Sequence, residues 1–345
     1  MALVTSICSK KYYRLFINEI KKNNGYTSLS FRKKMMEINY REVSKYDWSI
    51  SQWLSIKNNN SSKKNYEIIK YGENKNQNAY FVKNTKKNIF DSKIHGKEIG
   101  YNNILDISDG INCIKEFREP TCVIVKHNNP CGVASAKNIN LAFKKSYMSD
   151  PISAFGGVVL LNKKINKKLA IDLNKNFFEI VVAPNFSFEA LEILKYKKKL
   201  IVIDLSKINI EDRKGFKSVN SGVLYQDINL EKISKSKLKL KTQKSSSTKT
   251  LDDLVFALKV AKHVKSNAIV LVNNKKTLGI GAGQMSRVDA TKIAIMKYKQ
   301  FFKNKKFVCA SDAFFPFIDS INLLINNNCI GVVQPEGSIN DQKII

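Results

Sequence analysis

Short apolar strands alternate with helical segments along two stretches of the chain, and this alternation restricts the fold more than any other feature. In the first stretch, four runs rich in valine, isoleucine and leucine are typical of buried strands, namely CVIV, GGVVLL, IVVAP and LIVIDL. The pattern returns in the second stretch with a helix from Leu251, the hairpin AIVLVN-NKK-TLGIG, a helix from Arg287, and the strands FVCA and GVV. Strands that alternate with helices in this way predict an α/β fold.

The same pattern divides the chain into four segments. Residues 1–57 have helical periodicity, and the polar run SIKNNNSSKKN at their end is a candidate linker. The first α/β segment covers 64–205, a connection with one predicted strand (SGVLYQDI) covers 206–250, and the second α/β segment covers 251–345. Both α/β segments follow a plan of strand, polar loop and helix, which favours two related subdomains.

Length and composition restrict the class of protein further. A chain of 345 residues, 43% of them hydrophobic, has enough apolar material for two domains of roughly 150 residues each. No apolar run approaches the roughly 20 residues that span a bilayer, and the N-terminus lacks the pattern of a signal peptide, so no membrane partner is expected. The six cysteines are scattered without a Cys-x-x-Cys pair, which favours a reducing, cytoplasmic location over a disulfide framework.

The formal net charge of +30 raises the alternative of a nucleic-acid-binding protein. The lysines, however, are spread along the whole chain among asparagines and isoleucines, three residue types that AT-rich codons favour. The same positive field would attract an anionic small molecule. We therefore expect small-molecule ligands and no nucleic-acid partner.

Lys126 and His127 stand side by side where the strand CVIV ends. The ends of strands in α/β sheets are frequent places for binding sites. A base and a cation at one place can remove a proton and stabilise an oxyanion. The alternative is a polar turn, because the run Asn-Pro-Cys-Gly from Asn129 is expected to interrupt the strand and change the direction of the chain.

A zinc deaminase site is the metal alternative for such a fold, and the sequence does not favour it. That site needs His-x-Glu and Pro-Cys-x-x-Cys. Here Asn129 stands two positions after His127, and Ala134 stands where the second cysteine after Cys131 should be. We expect no catalytic metal.

Nine blocks of sequence between about residue 65 and residue 345 occur together in one order: KYGENKNQNAY, GKEIGYNNILD, VKHNNPCGVA, SDPISAFGGVV, EIVVAPNFSFEALEILKYKK, HVKSNAIVL, GIGAGQMSRVDA, ASDAFFPFIDS and QPEGSIND. With these blocks the chain resembles the AICAR transformylase part of the bifunctional PurH family of purine biosynthesis. The resemblance implies two tandem cytidine-deaminase-like α/β/α subdomains, preceded by a helical connector at 1–57, and a homodimer with shared active sites. It also implies transfer of a formyl group from 10-formyltetrahydrofolate to the 5-amino group of AICAR.

The resemblance gives Lys126 and His127 catalytic roles. The amino group of AICAR is a weak nucleophile, so a base must take its proton as it attacks the formyl carbon, and the resulting oxyanion needs a positive partner. By resemblance His127 is the base, Lys126 stabilises the oxyanion, and Asn267 lies beside the formyl group. The other histidines fit less well, because His95 is expected in a polar surface loop and His263 on a helix.

By resemblance, two further sets of residues bind the substrates. Several have alternative interpretations: Gly156 as the start of a strand, Arg287 as a solvated cation of the first helical turn, and Phe314 as a core residue. The residues expected to bind AICAR are Lys70, Tyr71, Asn103, Gly156, Glu179, Arg287 and Phe314, and those expected to bind the folate are Val288, Asp319, Ser338 and Ile339.

The chain departs from the family pattern at several places. Lys70 replaces an arginine, which keeps the charge but loses the bidentate fork for phosphate, and Lys75 with Asn76 replaces Pro-His. The resemblance also implies that the cyclohydrolase domain and a basic C-terminal tail are missing, so closure of formyl-AICAR to IMP is not expected from this chain alone. A non-catalytic dimerisation scaffold for a separate IMP cyclohydrolase therefore stays open as an alternative.

Overall fold

The computed structural model describes residues 4–57, 66–83, 87–208 and 215–345. The chain forms two compact units, Met1–Asn65 and Tyr66–Ile345. The predicted linker after the helical segment lies mostly outside the described residues, as does part of the predicted connection between the two α/β segments.

The described part of the first unit is helical, as predicted. A 3₁₀ turn at Lys10–Tyr12 leads into α1 (Tyr13–Lys22), and α2 (Leu29–Lys57) follows. Ser28 caps the start of α2, because its Oγ accepts the N–H of Phe31 at 3.2 Å. Glu19 of α1 accepts both the N–H and the O–H of Ser28, at 3.0 and 2.6 Å, and so fastens α2 to α1. The origin of this unit as a connector stays a prediction.

The second unit alternates strands and helices, which confirms the α/β class. Its strands are β1 (Tyr66–Ile69), β2 (Ala79–Val82), β3 (Lys93–His95), β4 (Thr121–Lys126), β5 (Asn129–Ser135), β6 (Val158–Leu161), β7 (Ile180–Ala183), β8 (Ile201–Asp204), β9 (Gly215–Val219), β10 (Gly222–Gln226), β11 (Ile269–Val272), β12 (Thr277–Gly281), β13 (Phe307–Ser311) and β14 (Cys329–Val333). Its helices are α3 (Tyr101–Ile114), α4 (Ile139–Tyr147), α5 (Lys167–Asn174), α6 (Phe188–Lys195), α7 (Thr248–Ala261), α8 (Arg287–Phe301), α9 (Asp319–Ile325) and α10 (Asp341–Ile344), with 3₁₀ turns at Leu205–Lys207 and Lys235–Lys237.

Six strands form the larger sheet, in the order β3-β8-β7-β6-β4-β5. β4 pairs antiparallel with β5 and β6, whereas β6, β7 and β8 are parallel to one another. Every residue of β6 and β7 is buried. Helices that cover both faces of a parallel sheet demand apolar side chains on both faces, which explains why these strands are continuous apolar runs without alternation.

Four strands form the second sheet, in the order β12-β11-β13-β14. β11 pairs antiparallel with β12 and β13, and β13 pairs parallel with β14. The same order and the same directions occur in β5-β4-β6-β7 of the larger sheet, and α7 precedes β11 as α3 precedes β4. We refer to these two α/β arrays as the first and the second repeat. Their assignment to the cytidine-deaminase-like class, and the boundaries predicted for them, stay predictions.

One apolar cluster joins the two repeats. It contains Ile107 of α3 and Val260 of α7 together with Val123 of β4 and Val270 of β11. Separate clusters cover the opposite faces, with α4, α5 and α6 against the larger sheet and α8 and α9 against the smaller one. The shared cluster makes α3 and α7 the helical layer between the sheets, so the turns that follow β4 and β11 belong to one packed body.

The edge strands β5 and β12 meet through hydrogen bonds. Ser135 donates its N–H to the carbonyl oxygen of Lys275 at 2.9 Å. Thr277 Oγ1 is buried and accepts the N–H of Val133 at 3.0 Å. Pro130 is compatible with β5 because β5 lies at the edge of its sheet, where a missing N–H breaks no ladder on the outer side.

Several local predictions were wrong. The run from Asn129, expected to interrupt the strand, is strand β5, and the chain turns before it at His127 and Asn128. In its described residues, the connection between the repeats contains two strands, β9 and β10, where one was predicted. His95 lies in strand β3 and is half-buried, not in a surface loop. His263 lies beyond the end of α7, because that helix ends at Ala261.

Candidate functional site

Lys126 and His127 lie at the tip of the β4–β5 hairpin, in a segment that we call the His127 turn (Lys126–Asn129). The two central residues, His127 and Asn128, have φ angles of 50° and 61°. Two left-handed residues in succession make a type I′ turn, whose twist matches that of the flanking strands. The side chain of His127 is exposed, and that of Lys126 is half-buried.

Gly156 holds the ammonium group of Lys126. Lys126 Nζ donates to the carbonyl oxygen of Gly156 at 2.9 Å. Gly156 has a φ of +65°, and a Cβ there would lie 3.1 Å from Lys126 Nζ and 3.4 Å from the ring of Phe177. Both the backbone conformation and the closeness of the lysine therefore favour glycine at this position. The interpretation of Gly156 as a simple strand start is wrong, because β6 begins at Val158.

Two carboxylates of α3 fix the His127 turn from below. Asp106 Oδ1 accepts the N–H of Asn128 at 2.6 Å, and Asp109 Oδ2 accepts its side-chain amide at 3.0 Å. Burial raises the pKa of Asp106, while the N–H of Asn128 and the nearby charges of His127 and Lys126 act in the opposite direction. The sequence analysis did not single out either aspartate.

Glu179, just before β7, contacts a second group of polar side chains. Its Oε2 accepts from Asn103 Nδ2 at 3.4 Å and lies 3.2 Å from Lys97 Nζ. The N–H of Glu179 donates to the carbonyl oxygen of Gly157, the neighbour of Gly156, at 3.1 Å. Glu179 and Asn103 are therefore brought close to the glycine that holds Lys126.

The segment of Lys70 and Tyr71 reaches the same end of α3. Asn102 of α3 donates its side-chain amide to the carbonyl oxygen of Glu73 at 3.4 Å. Lys70 is exposed and Tyr71 is half-buried. These two residues thus lie two or three positions from a contact with the helix that carries Asn103.

Arg287 is the centre of a polar cluster in the second repeat. Its guanidinium donates to Ser311 Oγ at 2.7 Å, to Asp312 Oδ1 at 2.6 Å and to Asn267 Oδ1 at 2.7 Å. Only 9% of Arg287 is exposed, so its interpretation as a solvated cation is wrong. Burial of Asp312 favours its neutral form, but hydrogen bonds from Ser266 and Arg287 outweigh burial and lower its pKa.

Lys265 connects this cluster to the His127 turn. The N–H of Lys265 donates to Asn129 Oδ1 at 2.9 Å, and its ammonium group lies 3.9 Å from Asp109 Oδ2. Asn267 follows Lys265 by two residues. The structure therefore places the Asn267 segment beside the turn that carries His127.

The residues expected to bind folate lie further along the second repeat. The loop after β13 is joined to the segment of Ser338, because Asn340 donates its side-chain amide to the carbonyl oxygen of Pro316 at 2.9 Å. Val288 is half-buried next to Arg287, whereas Asp319 and Ile339 are exposed. Within the described parts of the chain, no hydrogen bond or ion pair joins these residues to Lys126 or His127.

The two neighbouring phenylalanines of this loop behave differently. Phe315 is completely buried, and its N–H donates to Gln334 Oε1 at 2.8 Å. Phe314 is 39% exposed. The core role therefore belongs to Phe315, and the ring of Phe314 remains accessible to a ligand.

Two of the polar partners that sequence reasoning missed, Ser311 and Asp312, share one signal. Asp312 follows strand β13 directly, and Ser311 ends it, so both stand where polar residues commonly line a site. Asp106 and Asp109 gave a weaker signal, since both lie inside a helix.

A search of the described residues finds no group of three or more His, Cys, Asp or Glu side chains that could hold a metal ion. Among the same residues, no helix has the length and hydropathy that a membrane span needs. The fold and these contacts define an α/β protein in which the bond between Lys265 and Asn129 joins the His127 turn to the segment that leads to Asn267 and Arg287.

Comparison with known proteins identifies the family. Residues 1–297 match the family described as the AICARFT/IMPCHase bienzyme. The bifunctional purine biosynthesis protein PurH of Caldicellulosiruptor bescii is 43% identical over 356 residues, which cover 99% of this chain and 69% of the relative. The proteins of the same name from Acetivibrio thermocellus and Buchnera aphidicola are 45% and 39% identical, over 80% and 99% of this chain and 55% and 69% of the relatives. The chain belongs to the AICARFT/IMPCHase bienzyme family and thus to the proteins of purine biosynthesis, which confirms the resemblance.

Proposed function

We propose that this chain is an AICAR formyltransferase that uses 10-formyltetrahydrofolate as the formyl donor. One observation carries the proposal: Lys126 and His127 occupy the tip of the β4–β5 hairpin, and the bond between Lys265 and Asn129 brings the Asn267 segment beside it. A base, a cation and an amide are the groups that transfer of a formyl group to a weakly nucleophilic amine requires.

His127 acts as the base in this proposal. The amine nitrogen attacks the formyl carbon, the new C–N bond forms, and the proton of the amine moves to the imidazole. The bond between the formyl carbon and N10 of the folate then breaks, and N10 takes the proton from the imidazolium as it leaves, which returns His127 to its neutral form. The exposure of His127 supports this role, because the imidazole can reach a bound substrate.

Lys126 stabilises the oxyanion that forms between these two steps. An ammonium group has three N–H donors. Gly156 accepts one of them at 2.9 Å, and no other hydrogen-bond partner of Lys126 Nζ occurs among the described residues. The ammonium group is therefore held in one place with donors left for a negatively charged oxygen.

Arg287 has a double role in the proposal. Three of its five N–H donors are used by Ser311, Asp312 and Asn267, which orients the amide of Asn267. The remaining donors are available to AICAR. We assign Lys70, Tyr71, Asn103, Gly156, Glu179 and Phe314 to AICAR as well, and Val288, Asp319, Ser338 and Ile339 to the folate.

The homodimer implied by the resemblance is part of the proposal. Its support is the β9–β10 hairpin, where Phe216 and Tyr225 are each 73% exposed and Leu224 is 61% exposed. Clustered exposed apolar side chains commonly mark interfaces between proteins. Analytical ultracentrifugation tests this point, and a monomer at micromolar concentration would contradict it.

A formyl-transfer assay with wild type, His127→Ala and His95→Ala tests the function. Loss of a general base costs about 10²–10⁴-fold in rate, so we expect His127→Ala to lose at least 100-fold in kcat. His95 lies in β3 away from the His127 turn and serves as the matched control, with kcat unchanged. Equal activity of wild type and His127→Ala would refute the assignment of the base.

Titration with AICAR separates this function from the two alternatives. An enzyme binds AICAR saturably, whereas a non-catalytic scaffold for a separate IMP cyclohydrolase does not. A nucleic-acid-binding protein would bind DNA or RNA with an affinity that falls steeply with salt and is indifferent to folate.

A further inference from the structure

Asp106 lies directly beneath the His127 turn and has no role in the function proposed above. Only 9% of Asp106 is exposed. Its Oδ1 accepts the N–H of Asn128 at 2.6 Å, and Asn128 is the second of the two left-handed residues of the turn. Non-glycine residues adopt this conformation at an energetic cost, so a strong acceptor for the turn's N–H helps to hold it.

The second repeat has an equivalent hairpin turn capped by an aspartate, but that turn contains no histidine. Asp253 of α7 is 5% exposed and accepts the N–H groups of Asn274 and Lys275 at 2.8 and 2.7 Å. These two residues form the turn between β11 and β12, with φ angles of 51° and 50°. An aspartate that caps a left-handed hairpin turn is therefore a structural feature of the repeat itself.

The two aspartates differ in how their oxygens are used. Both carboxylate oxygens of Asp253 are occupied, because each accepts a backbone N–H. Asp106 binds the turn through Oδ1, and within the described residues its Oδ2 accepts no hydrogen bond. The titratable groups that face Asp106 are His127 and Lys126 of the turn and Asp109 of its own helix.

We propose that Asp106 is a positioning residue for His127: its carboxylate fixes the turn that presents the imidazole and places a negative charge beside it. The inference rests on the proposed role of His127 as the base. When the imidazole takes the proton of the substrate amine, it becomes a cation, and a nearby carboxylate stabilises that cation. Asp106 itself neither gains nor loses a proton in this step.

Three variants test the proposal: Asp106→Ala, Asp106→Asn and the matched control Asp253→Ala. Asp106→Ala removes both the acceptor and the charge, Asp106→Asn keeps an acceptor oxygen without the charge, and Asp253→Ala removes the equivalent cap from the turn that has no histidine. We expect Asp106→Ala to lose at least tenfold in kcat with KM for AICAR changed less than threefold. Asp106→Asn should lose less than Asp106→Ala, and Asp253→Ala should keep kcat within twofold.

Selective ¹⁵N-histidine labelling supplies a readout that is independent of activity. The chain has three histidines, so each imidazole gives a separate signal. We expect the signals of His127 to move in both Asp106 variants, while those of His95 and His263 stay unchanged, and no signal to move in Asp253→Ala. Unchanged His127 signals, or equal kcat losses in Asp106→Ala and Asp253→Ala, would overturn the positioning role. Absence of formyl transfer in wild type would instead refute the proposed function, and the histidine signals would still decide whether Asp106 positions the ring.

Discussion

Replacing Arg287 by methionine removes three hydrogen bonds from a buried cluster and leaves a carboxylate without its cation. The lost bonds are those to Ser311 at 2.7 Å, Asp312 at 2.6 Å and Asn267 at 2.7 Å. Breaking a buried ion pair by removing one partner costs about 3–5 kcal/mol. Asp312 is 17% exposed at its side chain and keeps bonds from Ser266 and Ala268, so we expect the lower end, about 3 kcal/mol, in the free energy of unfolding.

The loss of unfolding free energy in Arg287→Met should also depend on pH. Hydrogen bonds from Ser266, Arg287 and Ala268 overcome the opposing effect of burial and lower the pKa of Asp312 in the folded protein. A depressed carboxyl pKa contributes stability that is present above the unfolded value of about 3.9 and is lost as the pH falls through the folded pKa. Arg287→Met should therefore be most destabilising at neutral pH and less so in acid.

Urea denaturation of four proteins measures the effect: wild type, Arg287→Met, Asp312→Asn and the double variant. Because the two residues interact directly, the double variant should lose at least about 1 kcal/mol less than the sum of the single losses. Lys292→Met is the matched control on the same helix, since its solvent-exposed pair with Asp289 at 3.3 Å should contribute little to stability. Additive losses, or a loss in Arg287→Met no larger than in Lys292→Met, would refute the reasoning.

Two further predictions concern other parts of the second unit. Gly156→Ala should lose about 1–2 kcal/mol in the free energy of unfolding and more than tenfold in kcat, because its φ of +65° disfavours a side chain and the new methyl group would lie 3.1 Å from Nζ of Lys126, the lysine proposed to stabilise the oxyanion. Gly283→Ala, with the same φ and no atom nearer than 3.9 Å, should show the backbone cost without the crowding. Burial of Lys276, with repulsion from Lys305 and Lys145, lowers its pKa to about 8, so acetic anhydride at pH 8 should acetylate Lys276 ahead of the exposed lysines, as peptide mass spectrometry would show. Uniform acetylation of all lysines would contradict that expectation.

The sequence predicted the inner strands of the larger sheet better than its edge strand β5. The runs CVIV, GGVVLL and IVVAP became β4, β6 and β7, because continuous burial on both faces of the sheet requires continuous apolar sequence. β5 escaped prediction because it contains Pro130 and Gly132, which ordinarily interrupt a strand. Its position at the sheet edge tolerates the proline, and Gly132 is needed where β5 touches the backbone of α4, since a Cβ there would lie 2.2 Å from the carbonyl oxygen of Ser146.

The residues of the candidate site were likewise predicted only in part from the sequence. Lys126 and His127 stood out in the sequence because two chemically useful side chains adjoin a strand. Asp106 and Asp312 did not stand out, since their importance lies in the partners that distant parts of the chain bring to them, Asn128 in one case and Arg287 in the other. A contact between residues 22 or 25 positions apart leaves no local pattern in a single sequence.

By itself, the sequence determined the α/β class, the repetition of one plan and the residue types of the chemistry, because periodicity and composition are local properties of a chain. Only the tertiary structure decided that the two sheets share one core, that aspartates of α3 and α7 cap equivalent turns, and that Lys265 joins the Asn267 segment to the His127 turn. These features depend on packing between segments far apart in sequence, and packing is settled only when the apolar faces of both repeats are buried together.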